Sequence, residues 1–238
     1  MKIIKPSYEI LTPITVGVSH QEIMPGVTMD TFIKGLPILK KIEQAARICY
    51  KSEGKITEDG SSATKLIQHL IDSHHEAMLE HEYLSVKFII DRALSHELVR
   101  HRMASFAQES QRYCNYSDDR FDSNVTFVLP SWLTQDDTDP AFRTWELACM
   151  DAEAAYFKLL EIGYLPQHAR TVLPNCTKTE LLITANIREW RHILKLRSAK
   201  DAHPDMTKLM QTLLKDLQMQ VPVLFADIPV FIKEEPKA

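Results

Sequence analysis

Residues 84–113 read LSVKFIIDRALSHELVRHRMASFAQESQRY. The first eight alternate and are rich in branched side chains, which predicts a half-buried strand over 84–91. Residues 92–104 return to helical spacing, carry Arg100-His101-Arg102 at their end, and are followed by another arginine, Arg112. A strand feeding a helix whose end is crowded with cations organises the chain. The formal net charge of the whole is nevertheless −4, so that local positive charge needs a reason.

Working outward, residues 8–17 look extended, and 37–50 read as a helix with Pro37 in its first turn. Residues 61–73 read as a helix with Ser61 or Ser62 as its cap. A short strand is expected over 125–130. A long helix is expected over 139–163, starting at Asp139-Pro140 and stopping at Gly163. Residues 180–187 read as strand, and 189–199 and 204–225 as helices. The tail KEEPKA is expected to fray. Strands separated by helices of variable length suggest an α/β or α+β fold. No strand leads through a Gly-rich loop into a helix, so neither a dinucleotide fingerprint nor a P-loop is present.

A chain of 238 residues, 45% hydrophobic and 25% charged, buries a core without staples. No apolar run reaches the length of a membrane span and the N-terminus lacks a signal-peptide pattern. The four cysteines are widely spaced with no C-x-x-C pair, which argues against a zinc ribbon or a disulfide framework and for a reducing cytoplasm. Mild acidity argues against a general nucleic-acid or membrane binder.

Between Lys87 and Lys158 there is no lysine, yet the interval holds Arg92, Arg100, Arg102, Arg112, Arg120 and Arg143. Guanidinium is a planar, weakly hydrated fork suited to paired bonds with phosphate or carboxylate. On a helix, Glu97 shares a face with Arg100 and His101, and Arg102 points elsewhere, so two anionic groups are within reach. The following SFAQESQRY supplies hydroxyls, amides and an arginine around an anion. The competing reading is a salt-bridge network in which Glu97, Glu109, Asp118 and Asp119 pair these arginines.

Farther on, Arg188 and His192 share a helix face, Arg191 and Arg197 add charge, and Trp190, Ile193, Leu194 and Leu196 supply packing. The alternative is an amphipathic helix with an exposed basic side. HHEAMLEH at 74–81 does not match H-E-x-x-H, so no metal is expected, and its histidines suit a helix C-terminus. Cys114 follows the basic loop, but no histidine–acid pair is indicated for it. Ser110 likewise has no adjacent base, which favours hydrogen bonding over nucleophilic attack.

These segments, taken in order, resemble the flavin-dependent thymidylate synthases. Arg-His-Arg, seven residues, Ser110, and then Arg112-Tyr113 is similar to the signature of that family. AARICY at 45–50, HEAMLEH at 75–81, ARTVLP at 169–174, NIREWRH at 186–192 and LR at 196–197 resemble its other segments. The resemblance covers roughly 36–225 and implies one domain over 1–238, with a central, mostly antiparallel sheet flanked by helices. It implies reductive methylation of dUMP to dTMP. Methylenetetrahydrofolate would give the carbon, FAD reduced by NADPH the hydride, and tetrahydrofolate would leave.

On that resemblance, Arg100, His101 and Arg102 face FAD, with Arg100 also reaching the nucleotide. Gln108, Glu109, Ser110, Gln111 and Arg112 form the dUMP loop, with Gln108 also toward FAD. Arg170 and Arg197 contact the nucleotide, and Arg197, beside the uracil, is the catalytic residue. Asn186, Arg188 and His192 bind FAD, and His75 lies beside the flavin. Ala77 stands where the family usually has Ser or Thr, leaving a backbone contact to FAD. Glu97 stands where an amide is frequent, and as a dUMP contact it needs Arg100 or His101 to offset its charge. The resemblance further implies a cytoplasmic homotetramer with sites shared between subunits. The competing classes are an RNA-binding module that uses the arginine clusters with Phe106, Tyr113, Tyr116 and Trp190, and a nucleotide-binding relative without turnover.

Overall fold

The structure, a computed structural model, describes residues 1–14, 16–24 and 27–231, and only the backbone of 16–24 and 27–34. In chain order the strands and helices begin with β1 (Lys2–Ile4), β2 (Ser7–Ile10), β3 (Val16–Met24), β4 (Val27–Lys34), α1 (Leu36–Tyr50) and α2 (Ser61–Asp72). Then come β5 (Tyr83–Asp91), α3 (Arg92–Leu98), β6 (Ser105–Gln108), β7 (Thr126–Val128), α4 (Pro140–Glu161) and α5 (Pro166–Ala169). β8 (Lys178–Asn186), α6 (Ile187–Arg197), α7 (Pro204–Gln220) and α8 (Pro222–Phe225) complete the order. Four strands form one sheet in the order β2-β5-β8-β6. The β5/β8 pair is antiparallel, because Ile187 N donates to Glu82 O near one end and Arg92 N to Thr177 O near the other. Among the described residues no helix is long and apolar enough to cross a membrane.

The decisive strand follows its sequence. Leu84, Val86, Phe88 and Ile90 are all buried, and Thr179, Leu181, Ile183 and Ala185 repeat that alternation on β8. The chain divides into two compact units, the first Met1–Glu9 with Val86–Ile183 and the second Ile10–Ser85 with the chain from Thr184 onward. In the first, β1 pairs in parallel with β7, Ile3 opposite Phe127. Its core gathers Tyr116, Val125, Phe127, Cys149, Tyr156 and Ala169. α4 starts as expected, with the Asp139 side chain accepting from Ala141 N and Pro140 in the first turn.

In the second unit β3 and β4 form an antiparallel hairpin and α1 packs on α2. Gly35 and Gly60 precede α1 and α2 with φ of 72° and 74°, which a residue with a side chain adopts only under strain. A Cβ built on Gly60 lies 2.1 Å from Leu36 Cδ1, and Leu36 is buried. Gly60→Ala is therefore expected to cost about 2 kcal/mol or more, a fall of roughly 4–8 °C in Tm, measurable by calorimetry.

Several expectations change. The helix expected over 92–104 ends at Leu98. His101 N bonds Leu98 O and Ala104 N bonds His101 O, tight turns that redirect the chain into β6, a strand the sequence reading lacked. Glu97, Arg100 and His101 thus do not share a helical face. Ser61 and Ser62 are the first helical residues of α2, not its cap. Gly60 holds the cap position, and Asp59 Oδ1 takes Ser61 N. The helix expected over 204–225 breaks at Val221, where Pro222 removes a donor and disfavours helical geometry in the preceding residue. Leu196, expected to pack, is exposed, and Arg191, expected on a basic surface, is buried. The extended stretch 8–17 is strand to Ile10 and again from Val16, residue 15 lying outside the described residues, as does the tail 233–238.

Candidate functional site

In the first unit the arginine-rich stretch becomes a surface turn followed by β6 and a loop. Asp91 caps α3 by accepting from Leu94 N at 2.7 Å. Arg100 and Arg102 are exposed on either side of buried His101. β6 then aligns on β8, Glu109 N donating to Glu180 O at 2.9 Å. Beyond it the chain turns tightly, with Tyr113 N and Cys114 N both donating to Ser110 O. Gln111 is buried, and Arg112 lies exposed with its guanidinium 5.3 Å from the Tyr113 ring.

The salt-bridge reading holds at Arg120, which pairs with Asp118. Arg143 pairs with Glu146, an acid outside that reading, and Glu109 pairs with Lys178 and not with an arginine. Among the described residues, however, Arg100, Arg102, Arg112 and half-buried Arg170 form no ion pair with an acidic side chain. Uncommitted to any carboxylate, these four guanidinium groups remain available to an external anion.

The loop side chains divide by task. Gln108 donates to Ser95 Oγ at 2.9 Å and to Thr179 Oγ1 at 3.3 Å. The Glu109 carboxylate accepts from Lys178 at 2.7 Å and from the Tyr116 hydroxyl at 3.0 Å. Lys178 was not singled out in sequence because the strand was started two residues later. Ser110 Oγ accepts only a long bond from Arg112 N, at 3.4 Å. Burial and the Glu109 carboxylate push the Cys114 thiol above its ordinary pKa, so it is not an activated thiolate.

The second unit places the other segments together. A cavity of about 670 Å³ is lined by Ala46, Arg47, Cys49 and Tyr50 from the end of α1, by His74, His75, Ala77 and Met78 after α2, and by Arg188 from α6. Leu66 and Leu70 give it an apolar wall, and Lys55 adds a further cation. Arg47, Lys55, Tyr50 and His74 were not assigned roles from sequence. Arg47 and Tyr50 sit within the quoted AARICY and His74 within HHEAMLEH, whereas Lys55 lies in no quoted segment. The Arg47 guanidinium bonds Glu43, a fully buried carboxylate one turn earlier on α1 that also accepts from Ser62 Oγ. Arg188 reaches Glu80 at 2.6 Å, an exposed pair.

α6 carries the remaining candidates. Asn186 Oδ1 caps it by accepting from Glu189 N at 2.8 Å, His192 is exposed, and Arg197 ends the helix half-buried. Neither Asn186, His192 nor Arg197 lines the cavity. Arg191 is 1% exposed and holds Asp227 through two bonds of 2.7 Å, Glu76 through longer ones, and the Leu224 carbonyl. It thereby fixes Glu76, the neighbour of cavity-lining His75 and Ala77. Glu76 also lines the cavity, its charge offset by Arg191, so the lining joins an apolar wall to Arg47, Lys55 and Arg188, a combination that suits a planar group of cofactor size with an anionic part.

Residues 37–223 match the family described as "Thymidylate synthase complementing protein". The chain is 34% identical over 223 residues to the flavin-dependent thymidylate synthase of Mycobacterium avium, covering 87% of this chain and 85% of that protein. It is 33% identical over 205 residues to the Corynebacterium aurimucosum protein of the same name, covering 79% of each. Among solved structures, it is similar to a UMP/dUMP methylase from Streptomyces cacaoi bound with 5-Br dUMP, with a TM-score of 0.68 at 23% identity over 95% of this chain and 96% of that one. The form bound with 5-Br UMP gives 0.66 at 20% identity over 95% of each chain. At such identities the structural likeness shows the fold, and the family match and the sequence identities carry the rest. Together they place the chain in the flavin-dependent thymidylate synthase family.

Proposed function

We propose that this chain methylates dUMP reductively to dTMP. Methylenetetrahydrofolate is the carbon donor, FAD is reduced by NADPH, and tetrahydrofolate is released. The observation that carries the cofactor reading is the cavity in which AARICY, HEAMLEH and the start of NIREWRH converge although they are far apart in sequence. The arginines of the first unit without acidic partners support an anionic substrate. The chain acts as one domain in a cytoplasmic homotetramer whose subunits share sites.

Each residue has a task in this reading. The loop Gln108–Arg112 holds the dUMP phosphate through its backbone N–H groups, the Ser110 hydroxyl and the Arg112 fork. Arg170 fixes the nucleotide, and Glu97 lies toward the same ligand with Arg100 offsetting its charge. Arg197 stands at the uracil, where its fixed charge favours the N3-ionised ring and so prepares the ring carbon for attack. Arg100, His101, Arg102, Gln108, His75, the Ala77 backbone, Asn186, Arg188 and His192 hold FAD. When bound, a flavin supplies the hydride that completes the methyl group.

Incubation with dUMP, methylenetetrahydrofolate, NADPH and FAD is expected to yield dTMP and tetrahydrofolate in equal amounts. Dihydrofolate as the co-product, or no dTMP, would refute the reading. Arg188→Met separates binding from stability. Loss of the exposed Glu80 pair is expected to cost less than about 1 kcal/mol. The lost charged contact should weaken FAD roughly tenfold or more, read by flavin fluorescence titration.

A further inference from the structure

The carboxylate of Glu109 sits in the middle of the anion-holding loop, where a negative charge is out of place. It is only 9% exposed and is engaged on both oxygens, one by Lys178 and the other by Tyr116. Lys178 is itself largely buried and also bonds Glu180 at 2.8 Å, while Lys87 stands 3.8 Å from Glu180. Lys87 also stands 3.7 Å from Glu9, so Lys178 is the ammonium group that serves Glu109 directly. Tyr116 is buried in the core of its unit, with its ring 5.6 Å from that of Tyr156 and its backbone N–H donating to the Tyr156 hydroxyl.

The loop is therefore clamped at three points. Gln108 is held by Ser95 and Thr179, Glu109 by Lys178 and Tyr116, and position 116 by the core. Only the turn Ser110–Tyr113 projects between the clamps, and it carries the exposed Arg112 and Tyr113. We propose that Lys178 and Tyr116 are positioning residues for the nucleotide. They tether Glu109 so that its carboxylate is neutralised and turned away from the bound phosphate, and the turn 110–113 keeps its anion-holding shape. Glu109 is then a tether whose side chain does not touch substrate. The inference rests on the proposed dUMP site.

Burial disfavours the Lys178 ammonium, but its bonds to Glu109 and Glu180 outweigh that and hold its pKa above the ordinary value. The bond from Lys178 in turn holds Glu180 below the usual carboxylate value. The Lys178 ammonium that holds the tether is consequently kept charged through the neutral range.

The test uses the full chain with FAD. Lys178→Met removes the cation, Lys178→Arg restores it, and Tyr116→Phe deletes one hydroxyl while keeping the packed ring. Amide exchange over 110–114, measured without nucleotide, is expected to quicken about tenfold in Lys178→Met and severalfold in Tyr116→Phe, while Gln108 keeps its own bonds to Ser95 and Thr179. The dUMP Kd should rise about tenfold or more in Lys178→Met, with FAD affinity within about twofold of wild type. Lys178→Arg should recover most of the loss. Adding Glu109→Gln to Lys178→Met should also recover part of it, because the stranded carboxylate is gone. Exchange and dUMP affinity both unchanged in Tyr116→Phe and Lys178→Met would overturn the inference. So would parallel loss of FAD and dUMP affinity, which marks a purely structural role. Faster exchange with unchanged dUMP affinity would overturn it differently. The tether would stand, and the placement of the dUMP phosphate on this loop would fall.

Discussion

Arg197→Ala is expected to lower the rate of methyl transfer about a hundredfold to a thousandfold, the usual cost of removing one preorganised electrostatic group. Arg197 ends α6, where the C-terminus of the helix favours a cation. Its proposed role is to stabilise negative charge on the uracil, so the loss should fall on kcat more than on FAD binding, which the absorption spectrum of the bound flavin reads directly. The deficit should shrink as pH rises toward the range where uracil N3 ionises unaided. Added guanidinium should also restore part of the rate. Arg197→Lys should remain impaired, since a point charge does not replace a planar fork. Wild-type turnover in Arg197→Ala would remove Arg197 from the chemistry.

The second large effect is on stability. Arg191→Leu should destabilise the chain by about 3 kcal/mol, seen as a lower denaturation midpoint at unchanged slope. The substitution leaves Glu76 and Asp227 without the guanidinium that both now share. Partial exposure of the Asp227 side chain, 37%, keeps the cost at the lower end for a broken buried pair. Burial tends to raise the Asp227 pKa, but Arg191, with help from Lys195, overrides this and holds it low. Because the folded value is depressed, the stabilisation is present above the unfolded carboxylate range, near about pH 4, and is lost as pH falls through the folded value. That acid-sensitive component should be missing from Arg191→Leu. FAD affinity should fall too, since Glu76 lies between His75 and Ala77 at the cavity.

The elements that were legible in sequence are those whose signals are local. β5 shows its period of two, α4 its Asp-Pro start and glycine stop, and α1 its proline. β6 carries no such signal. Its four residues SFAQ become a strand because β8 offers them a pairing edge. Arg191 illustrates the same limit. Its helical position reads as surface, and only a carboxylate 36 residues downstream explains its burial. Lys178 stands 69 residues from the glutamate it tethers. The β3/β4 hairpin is different, because the two strands flank Pro25-Gly26 in sequence, a turn signal that was available and not used. The break at Val221-Pro222 was equally readable.

At the site, residue types and their order pointed to anion binding, and the structure adds which groups are committed elsewhere. Glu109 is engaged by Lys178 and Tyr116, and Asn186 lends its oxygen to a helix cap. Arg100, Arg102, Arg112 and Arg170 lack acidic partners among the described residues.

The most direct measurement is the visible spectrum of the purified chain with FAD, recorded anaerobically before and after NADPH, with and without dUMP. The account predicts a bound flavin that NADPH bleaches, faster when dUMP is present, as the proposed reaction requires. A chain that takes up no flavin with either nucleotide present or absent would contradict it.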